Sequence, residues 1–175
     1  DTAKQYYEQS NVSGSSQALI AECLLQQGQA KEAVTMVSDA LMASVFHDFQ
    51  AINILAEGWI ALGQQEKACS ALEWMYGVME SMHYNPTTLL LTLVKLAALY
   101  EEQDQPENAK AAFRQAAELV KKNNKQEVYA EADFLNIEKA REMLISAPEG
   151  NQALLINIAT HMGEAYAQIV NEVLQ

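Results

Sequence analysis

Residues 59–68 read Trp-Ile-Ala-Leu-Gly-Gln-Gln-Glu-Lys-Ala, and two other segments follow the same plan: residues 24–33 (LLQQGQAKEA) and residues 100–109 (YEEQDQPENA). In each segment a large apolar or aromatic residue is followed four positions later by Gly28, Gly63 or Asp104, and an alanine comes five positions after that. Glycine readily takes the left-handed conformation in which helices end, and a small alanine lets two helices approach closely. The three segments therefore predict three helix–turn–helix hairpins.

Apolar residues continue at helical spacing on both sides of each turn. Around the second turn the series is Ile52, Leu55, Ala56 and Trp59, then Ala68, Ala71, Leu72 and Met75. Intervals of three and four residues put side chains on one face of a helix. The other two turns have equivalent series, so each predicted hairpin buries one apolar face.

These hairpins resemble units of the tetratricopeptide-repeat (TPR) family over about residues 15–122. The resemblance is carried by a small residue in the first helix, a large residue four positions before the turn, an alanine in the second helix, and a later aromatic residue. The matching residues are Ala21, Ala56 and Ala97; Leu24, Trp59 and Tyr100; Ala33, Ala68 and Ala109; and Phe113. The resemblance implies an all-α fold, a right-handed α-solenoid of antiparallel helix pairs with three TPR-like units followed by a C-terminal helix pair.

The spacing of the turns departs from the family pattern. Gly28, Gly63 and Asp104 are 35 and 41 residues apart, whereas the family repeat has about 34 residues. We therefore expect a lengthened helix pair or loop around residues 81–87. The run Asn85-Pro86-Thr87-Thr88 predicts a turn followed by a helix start, and Pro106 is expected in the first turn of the next helix.

The pattern changes after Lys122. Apolar periodicity predicts one helix over about residues 126–145, a turn over residues 146–150, and one last helix over about residues 151–174. We interpret the chain as a single domain over residues 1–175, in which residues 123–175 form a degenerate fourth unit or capping helices. The alternative is a homodimer through the C-terminal helices, because the last helix carries apolar residues on more than one side.

Composition excludes several classes of function. The net charge is −12, from 23 acidic and 11 basic residues, which argues against binding nucleic acid or an anionic membrane surface. No apolar run reaches the roughly 18 residues of a membrane span. Cys23 and Cys69 fit no disulfide or metal spacing, and we predict both to be buried free thiols.

Catalytic signals are lacking in the sequence. His47, His83 and His161 each stand alone, and no nucleophile–base motif or phosphate-binding loop is found. We therefore predict that the chain is not an enzyme, with no catalytic residue, no metal site and no cofactor.

The resemblance also implies a binding groove, because the first helix of each pair lines the concave face of a TPR-like stack. The implied groove positions are Ala18, Glu22 and Leu25 in the first unit, Asn53, Glu57 and Ile60 in the second, and Val94, Ala98 and Glu101 in the third. One TPR subtype grips a peptide carboxylate with Lys, Asn and Arg at such positions. Here only Asn53 matches, and Glu22 and Glu57 would repel a carboxylate.

The sequence thus predicts a cytoplasmic scaffold or adaptor module that binds a peptide or partner protein with apolar and basic character. Two alternatives remain open at this stage. One is an effector-sensing domain of a larger regulator, such as a bacterial transcription factor. The other is a small TPR-like secretion chaperone.

Overall fold

A computed structural model describes residues 14–43, 48–122 and 150–175, and every regular element in these ranges is an α-helix. The helices are α1 (Gly14–Gln26), α2 (Ala30–Ala43), α3 (Phe49–Ala61), α4 (Gln65–Ser81), α5 (Pro86–Glu102), α6 (Pro106–Lys122), α7 (Gly150–Met162) and α8 (Glu164–Leu174). The predicted all-α class is confirmed. The predicted helix over residues 126–145 lies outside the described residues.

The chain divides into two compact units, Asp1–Met75 and Tyr76–Gln175. In the first unit α1 packs against α2 and α3, and α2 packs against α3. Its core is made of small and aliphatic side chains: Ala18, Ile20, Ala21, Leu24, Ala33, Val37, Ala51, Ile54 and Leu55. The core includes Ala21 and Ala33, two of the small residues that carried the resemblance.

In the second unit α5 and α6 form a hairpin, and α7 and α8 both pack against α6. The aromatic residue of the third repeat, Phe113, is fully buried and meets the ring of Tyr166 on α8, with ring centroids 5.1 Å apart. Tilted aromatic pairs at this separation are favourable beyond the area that they bury. The C-terminal helices therefore cover the apolar face of α6.

The three turns that organise the repeats share one geometry. Gly28, Gly63 and Asp104 have φ angles of 76°, 71° and 56°. In the first turn the N–H of Gly28 donates to the carbonyl of Leu25 at 2.9 Å, and that of Gln29 donates to the carbonyl of Leu24 at 2.9 Å. This pair of hydrogen bonds is the Schellman motif that closes a helix on a left-handed residue.

The same two hydrogen bonds recur at the other turns, at 2.8–3.0 Å: Gly63 to Ile60, Gln64 to Trp59, Asp104 to Glu101 and Gln105 to Tyr100. The large residues four positions before each turn are thus the residues whose carbonyls accept the longer-range bond. The repeated sequence pattern is in physical terms a repeated helix C-cap, so the turn prediction is confirmed.

A fourth cap of this kind was not predicted. His83 has a φ of 53°, its N–H donates to the carbonyl of Glu80 at 3.0 Å, and that of Tyr84 donates to the carbonyl of Met79 at 2.9 Å. Immediately afterwards Asn85 caps α5, accepting from the Thr87 N–H at 2.8 Å, with Pro86 in the first turn. The predicted helix start at residues 85–88 is confirmed, and so is the start of α6 at Pro106.

The interval between the turns at Gly63 and Asp104 is the longer one because the two helices between them are longer. Helices α4 and α5 have 17 residues each, whereas α2 has 14 and α3 has 13. A lengthened helix pair, one of the two predicted possibilities, therefore accounts for the extra residues.

The prediction of one continuous last helix was wrong. The chain breaks at Gly163, whose φ of 149° and ψ of 156° end α7 and start α8. This conformation is essentially open only to glycine. Apolar residues continue at helical spacing on both sides of the break, which is why periodicity alone did not reveal it.

Candidate functional site

The nine predicted groove positions lie at three levels along the first helices α1, α3 and α5. The level farthest from the turns is buried, since Ala18, Asn53 and Val94 are 1, 5 and 1 % exposed. Of the other six positions, one is buried: Glu57 is 9 % exposed. The remaining five are half-buried or exposed: Glu22, Leu25, Ile60, Ala98 and Glu101. The accessible part of the predicted surface is therefore the end of each first helix that lies next to its turn.

Asn53 and Glu57 form a buried pair within α3. The side-chain amide of Asn53 donates from Nδ2 to Oε1 of Glu57 at 3.1 Å, one helical turn further on. A buried carboxylate is tolerated where hydrogen bonds satisfy it. The structure thus places Asn53 as a residue that fixes the Glu57 carboxylate, and its own side chain is buried.

Gly58 is the next residue on α3, and the sequence reasoning missed it. A Cβ at this position would collide with Cγ2 of Val34 on α2 and would lie 3.7 Å from Cδ2 of Leu25 on α1. The glycine therefore permits the close approach of three helices beside Glu57. The available signal was a lone glycine inside an apolar helical pattern, which often marks such an approach.

Helices α1 and α3 of the first unit each carry a single charge, and both charges are negative. Glu22 is the one charged residue of α1 within its bounds, and Glu57 is the one charged residue of α3. Both stand six residues before the glycine of their turn, and α1 and α3 pack against each other. Neither of these two helices contains a lysine or arginine within its bounds.

On α5 the corresponding end of the helix carries Glu101 and Glu102, both exposed, whereas the one basic residue of this helix, Lys95, is 2 % exposed. The accessible charge at the end of α5 is therefore also negative. Each of the three first helices thus carries at least one carboxylate in its last two turns: Glu22 is half-buried, Glu57 is buried, and Glu101 and Glu102 are exposed.

The cysteines and histidines show no chemical site in the described part of the chain. Cys69 is buried as predicted, but Cys23 is exposed. That prediction was wrong because the core face of α1 runs through Ala21 and Leu24, and Cys23 lies on the other side of the helix. No group of three or more His, Cys, Asp or Glu residues that could hold a metal ion occurs within the described residues.

The two histidines within the described residues have different surroundings. His83 is exposed at the cap of α4, and Nδ1 of His161 lies 2.9 Å from the carbonyl oxygen of Asn157. His47 lies outside the described residues.

Over residues 14–43, 48–122 and 150–175, no helix has the length and apolar character needed to cross a membrane.

Comparison with known proteins supports the fold. No protein-family model matches the chain, and no curated protein matches it either. Among solved structures, the chain is similar to a Podospora anserina protein whose description names a kinesin light chain with nearly identical TPR-like repeats. The TM-score is 0.54 at 18 % sequence identity, over 92 % of this chain and 76 % of the other. The chain therefore has the fold of TPR-like helical repeats, as predicted.

Proposed function

We propose that this chain is a protein-interaction module that binds a segment of a partner protein with basic and apolar side chains. The observation that carries the proposal is the pair of carboxylates on α1 and α3. Glu22 and Glu57 occupy the same register, and each is the one charged residue of its helix. TPR-like folds generally mediate contacts between proteins, which supports the class of function.

The burial of individual residues narrows the surface that we propose for the partner. Ala18, Asn53 and Val94 are too buried to form a contact surface. In the first unit the proposed surface therefore consists of the turn-proximal positions Glu22, Leu25 and Ile60; Glu57, which is 9 % exposed, contributes its charge and little contact area. In the second unit the accessible positions are Ala98 and Glu101.

Leu25 follows Glu22 by three residues, and Ile60 follows Glu57 by three. Side chains three residues apart are neighbours on a helix surface. Each of these two helices therefore pairs one carboxylate with one half-buried aliphatic side chain. A lysine or arginine followed closely by an aliphatic residue is the chemistry that matches such a pair, because the charge meets the carboxylate while the apolar group covers the aliphatic side chain.

Affinity capture with charge-neutral variants tests the proposal. The double variant Glu22→Gln/Glu57→Gln keeps the size of both side chains, and the glutamine oxygen can still accept from Asn53. The control Glu164→Gln/Glu172→Gln removes the same charge at two exposed positions on α8. We expect the wild type and the control to capture the same partner, and we expect the first variant to bind a purified segment of that partner about tenfold more weakly. Equal affinity of both variants for that segment would contradict the proposal.

We further propose that α7 and α8 act as a cap and not as a dimer interface. Their apolar residues already face the core of their own unit, since Leu154, Leu155, Ile158, Tyr166 and Val170 are all buried there. Terminal repeats of solenoids require such a cover. Light scattering at increasing protein concentration tests this proposal: a constant monomer mass supports it, and a dimer that dissociates when residues of α8 are substituted refutes it.

A further inference from the structure

A single residue divides helices α7 and α8. The N–H of Gly163 donates to the carbonyl of Ala159 at 3.0 Å, and this is the last hydrogen bond of α7. The N–H of Ala167 donates to the carbonyl of Gly163 at 3.2 Å, which is the first bond of α8 that spans four residues. A continuous helix would add only the three bonds from residues 164–166 to the carbonyls four positions earlier. The change of direction is therefore concentrated at Gly163.

One apolar seam runs across this break. Intervals of three and four residues put side chains on one side of a continuous helix. Buried and half-buried residues keep these intervals from α7 into α8: Leu155, Ala159, Met162, Tyr166, Val170 and Val173. Residues 151–174 contain no proline and no glycine besides Gly163. The sequence on both sides of Gly163 is therefore compatible with one straight helix.

The backbone of Gly163 opposes that straight helix. Its φ of 149° and ψ of 156° lie in a region that is essentially open only to glycine. A Cβ added to Gly163 would lie 3.7 Å from Cδ2 of Tyr166, which is an ordinary contact distance. The backbone conformation, and not crowding, thus excludes other residues from this position. Glycine is also unfavourable inside a helix, so Gly163 both permits the bent form and weakens the straight one.

The contacts that hold α8 on α6 involve only these two helices. Tyr166 and Val170 are 5 and 0 % exposed, and the ring of Tyr166 lies 5.1 Å from that of Phe113. The Nζ atom of Lys121 donates to the carbonyl of Val173 at 2.8 Å. A second copy of the chain has the same residues on its own α6 and α8. Exchange of α8 between two copies would therefore recreate each of these contacts without a new surface.

We propose that Gly163 selects between two forms of this chain. In the closed form, a monomer, α8 packs on α6 of its own chain. In the exchanged form, α7 and α8 make one helix, and α8 of each copy packs on α6 of the other. The wild type is closed, because this form has no association cost and the straight helix contains a glycine. The exchange rests on the proposed role of α7 and α8 as a cap, since α8 must cover α6 in both forms.

The variant Gly163→Ala tests the proposal in the whole chain. Alanine is strained in the closed form and favoured in the straight helix, so the equilibrium should shift toward the exchanged dimer by about thirtyfold or more. Light scattering should show a monomer for the wild type and a dimer fraction that rises with concentration for the variant. Gly77→Ala, which places a Cβ in open space inside α4, is the matched control and should stay monomeric.

Cross-linking distinguishes exchange from any other dimer. Lys121→Cys/Val173→Cys places two thiols where α6 and α8 meet, and Cys23→Ser removes the exposed native thiol. A short bismaleimide should join the two cysteines within one chain when Gly163 is present. With Gly163→Ala it should join two chains, and a denaturing gel should show at least tenfold more covalent dimer. Circular dichroism confirms that each variant is folded.

Refolding of the chain that keeps Gly163 gives a second measurement, which does not depend on the stability of Gly163→Ala. Exchange requires two chains to meet while α8 is undocked. The covalent dimer fraction of the cysteine variant should therefore rise with the protein concentration at which it refolds from urea.

Three outcomes overturn the proposal. The first is a folded Gly163→Ala that stays monomeric at every concentration, and the second is a Gly163→Ala dimer whose cross-links all lie within single chains. The third is a covalent dimer fraction that does not change with concentration during refolding. Each of these outcomes leaves the cap in place, whereas a wild-type dimer that dissociates when α8 is substituted refutes the cap itself.

Discussion

A Cβ atom added to Gly58 on α3 would collide with Cγ2 of Val34 on α2. Helix α3 therefore approaches α2 more closely than any other residue at position 58 permits. This contact is adjacent to Glu57, the buried carboxylate that Asn53 holds at 3.1 Å. The packing of three helices thus sets the position of a group to which we assign a role in binding.

Substitution of Gly58 by alanine should destabilise the protein. Overpacking of a core costs about 1–3 kcal/mol, and the gain in helix propensity of about 1 kcal/mol offsets only part of it. Gly77→Ala is the matched control, because its Cβ would meet open space, and it should be neutral or stabilising. Urea unfolding of both variants measures the difference, and equal stabilities would contradict the contact between Gly58 and Val34. In the double variant Gly58→Ala/Val34→Ala the loss should be smaller than the sum of the two single losses.

The shared cap geometry predicts opposite effects at two equivalent turns. Gly63→Ala places a Cβ on a residue with a φ of 71° and should cost about 1 kcal/mol. Asp104→Gly relieves the same conformation at a φ of 56° and should stabilise the protein by about 0.5–1 kcal/mol. Thermal unfolding of the two variants gives the signs. If Asp104→Gly were the less stable protein, the left-handed cap would not be the reason for these residues.

The break between α7 and α8 depends on Gly163. Alanine cannot take its φ of 149° and ψ of 156° without strain, so Gly163→Ala should lower the free energy of unfolding by about 1–3 kcal/mol. Ala165→Gly, at an exposed helical position nearby, is the control and should cost no more than about 1 kcal/mol. Unchanged stability of Gly163→Ala would indicate one continuous helix instead.

The hydroxyl of Tyr76 should lose its proton only at a pH well above the usual value for tyrosine. Burial raises the pKa of Tyr76 to about 12, and the nearby carboxylates of Glu80 and Glu118 add to the effect. In the unfolded chain the pKa is near 10, so the folded state holds the proton more tightly. The resulting stabilisation is complete below pH 10 and is lost as the pH rises through about 12.

The titration of Tyr76 can be isolated with one substitution. The tyrosinate absorbance of the wild type minus that of Tyr76→Phe should rise only near the upper end of this range. The stability of Tyr76→Phe should also fall less between pH 10 and 12 than that of the wild type. A difference spectrum that rises near pH 10 would contradict the burial of the Tyr76 side chain and its contact with Glu80.

The turns were predictable because their determinant is local. A glycine after an apolar helical run predicts a left-handed helix cap. The repeated pattern also identified Asp104 as a cap residue, although it is not a glycine. The same cap at His83 was missed because neither a glycine nor a repeated pattern marks it. The break at Gly163 was missed for a different reason: apolar residues keep helical spacing across it, and only backbone geometry shows the change of direction.

The placement of Glu22 and Glu57 on α1 and α3 was predictable, but their burial was not. The positions of Glu22 and Glu57 follow from counting back from the turns. Whether a counted position is accessible depends on packing between helices, which the count does not include. Asn53 thus changed from an expected partner contact to a buried hydrogen-bond donor.

The central claim is that carboxylates on the first helices attract a basic segment of a partner. The most direct measurement is isothermal titration of the captured partner segment over a series of salt concentrations. We predict that its affinity for the wild type falls as salt rises, because salt screens exposed charges. We also predict that the dependence is clearly weaker for Glu22→Gln/Glu57→Gln. An affinity that salt does not change, or the same dependence in both proteins, would contradict the claim.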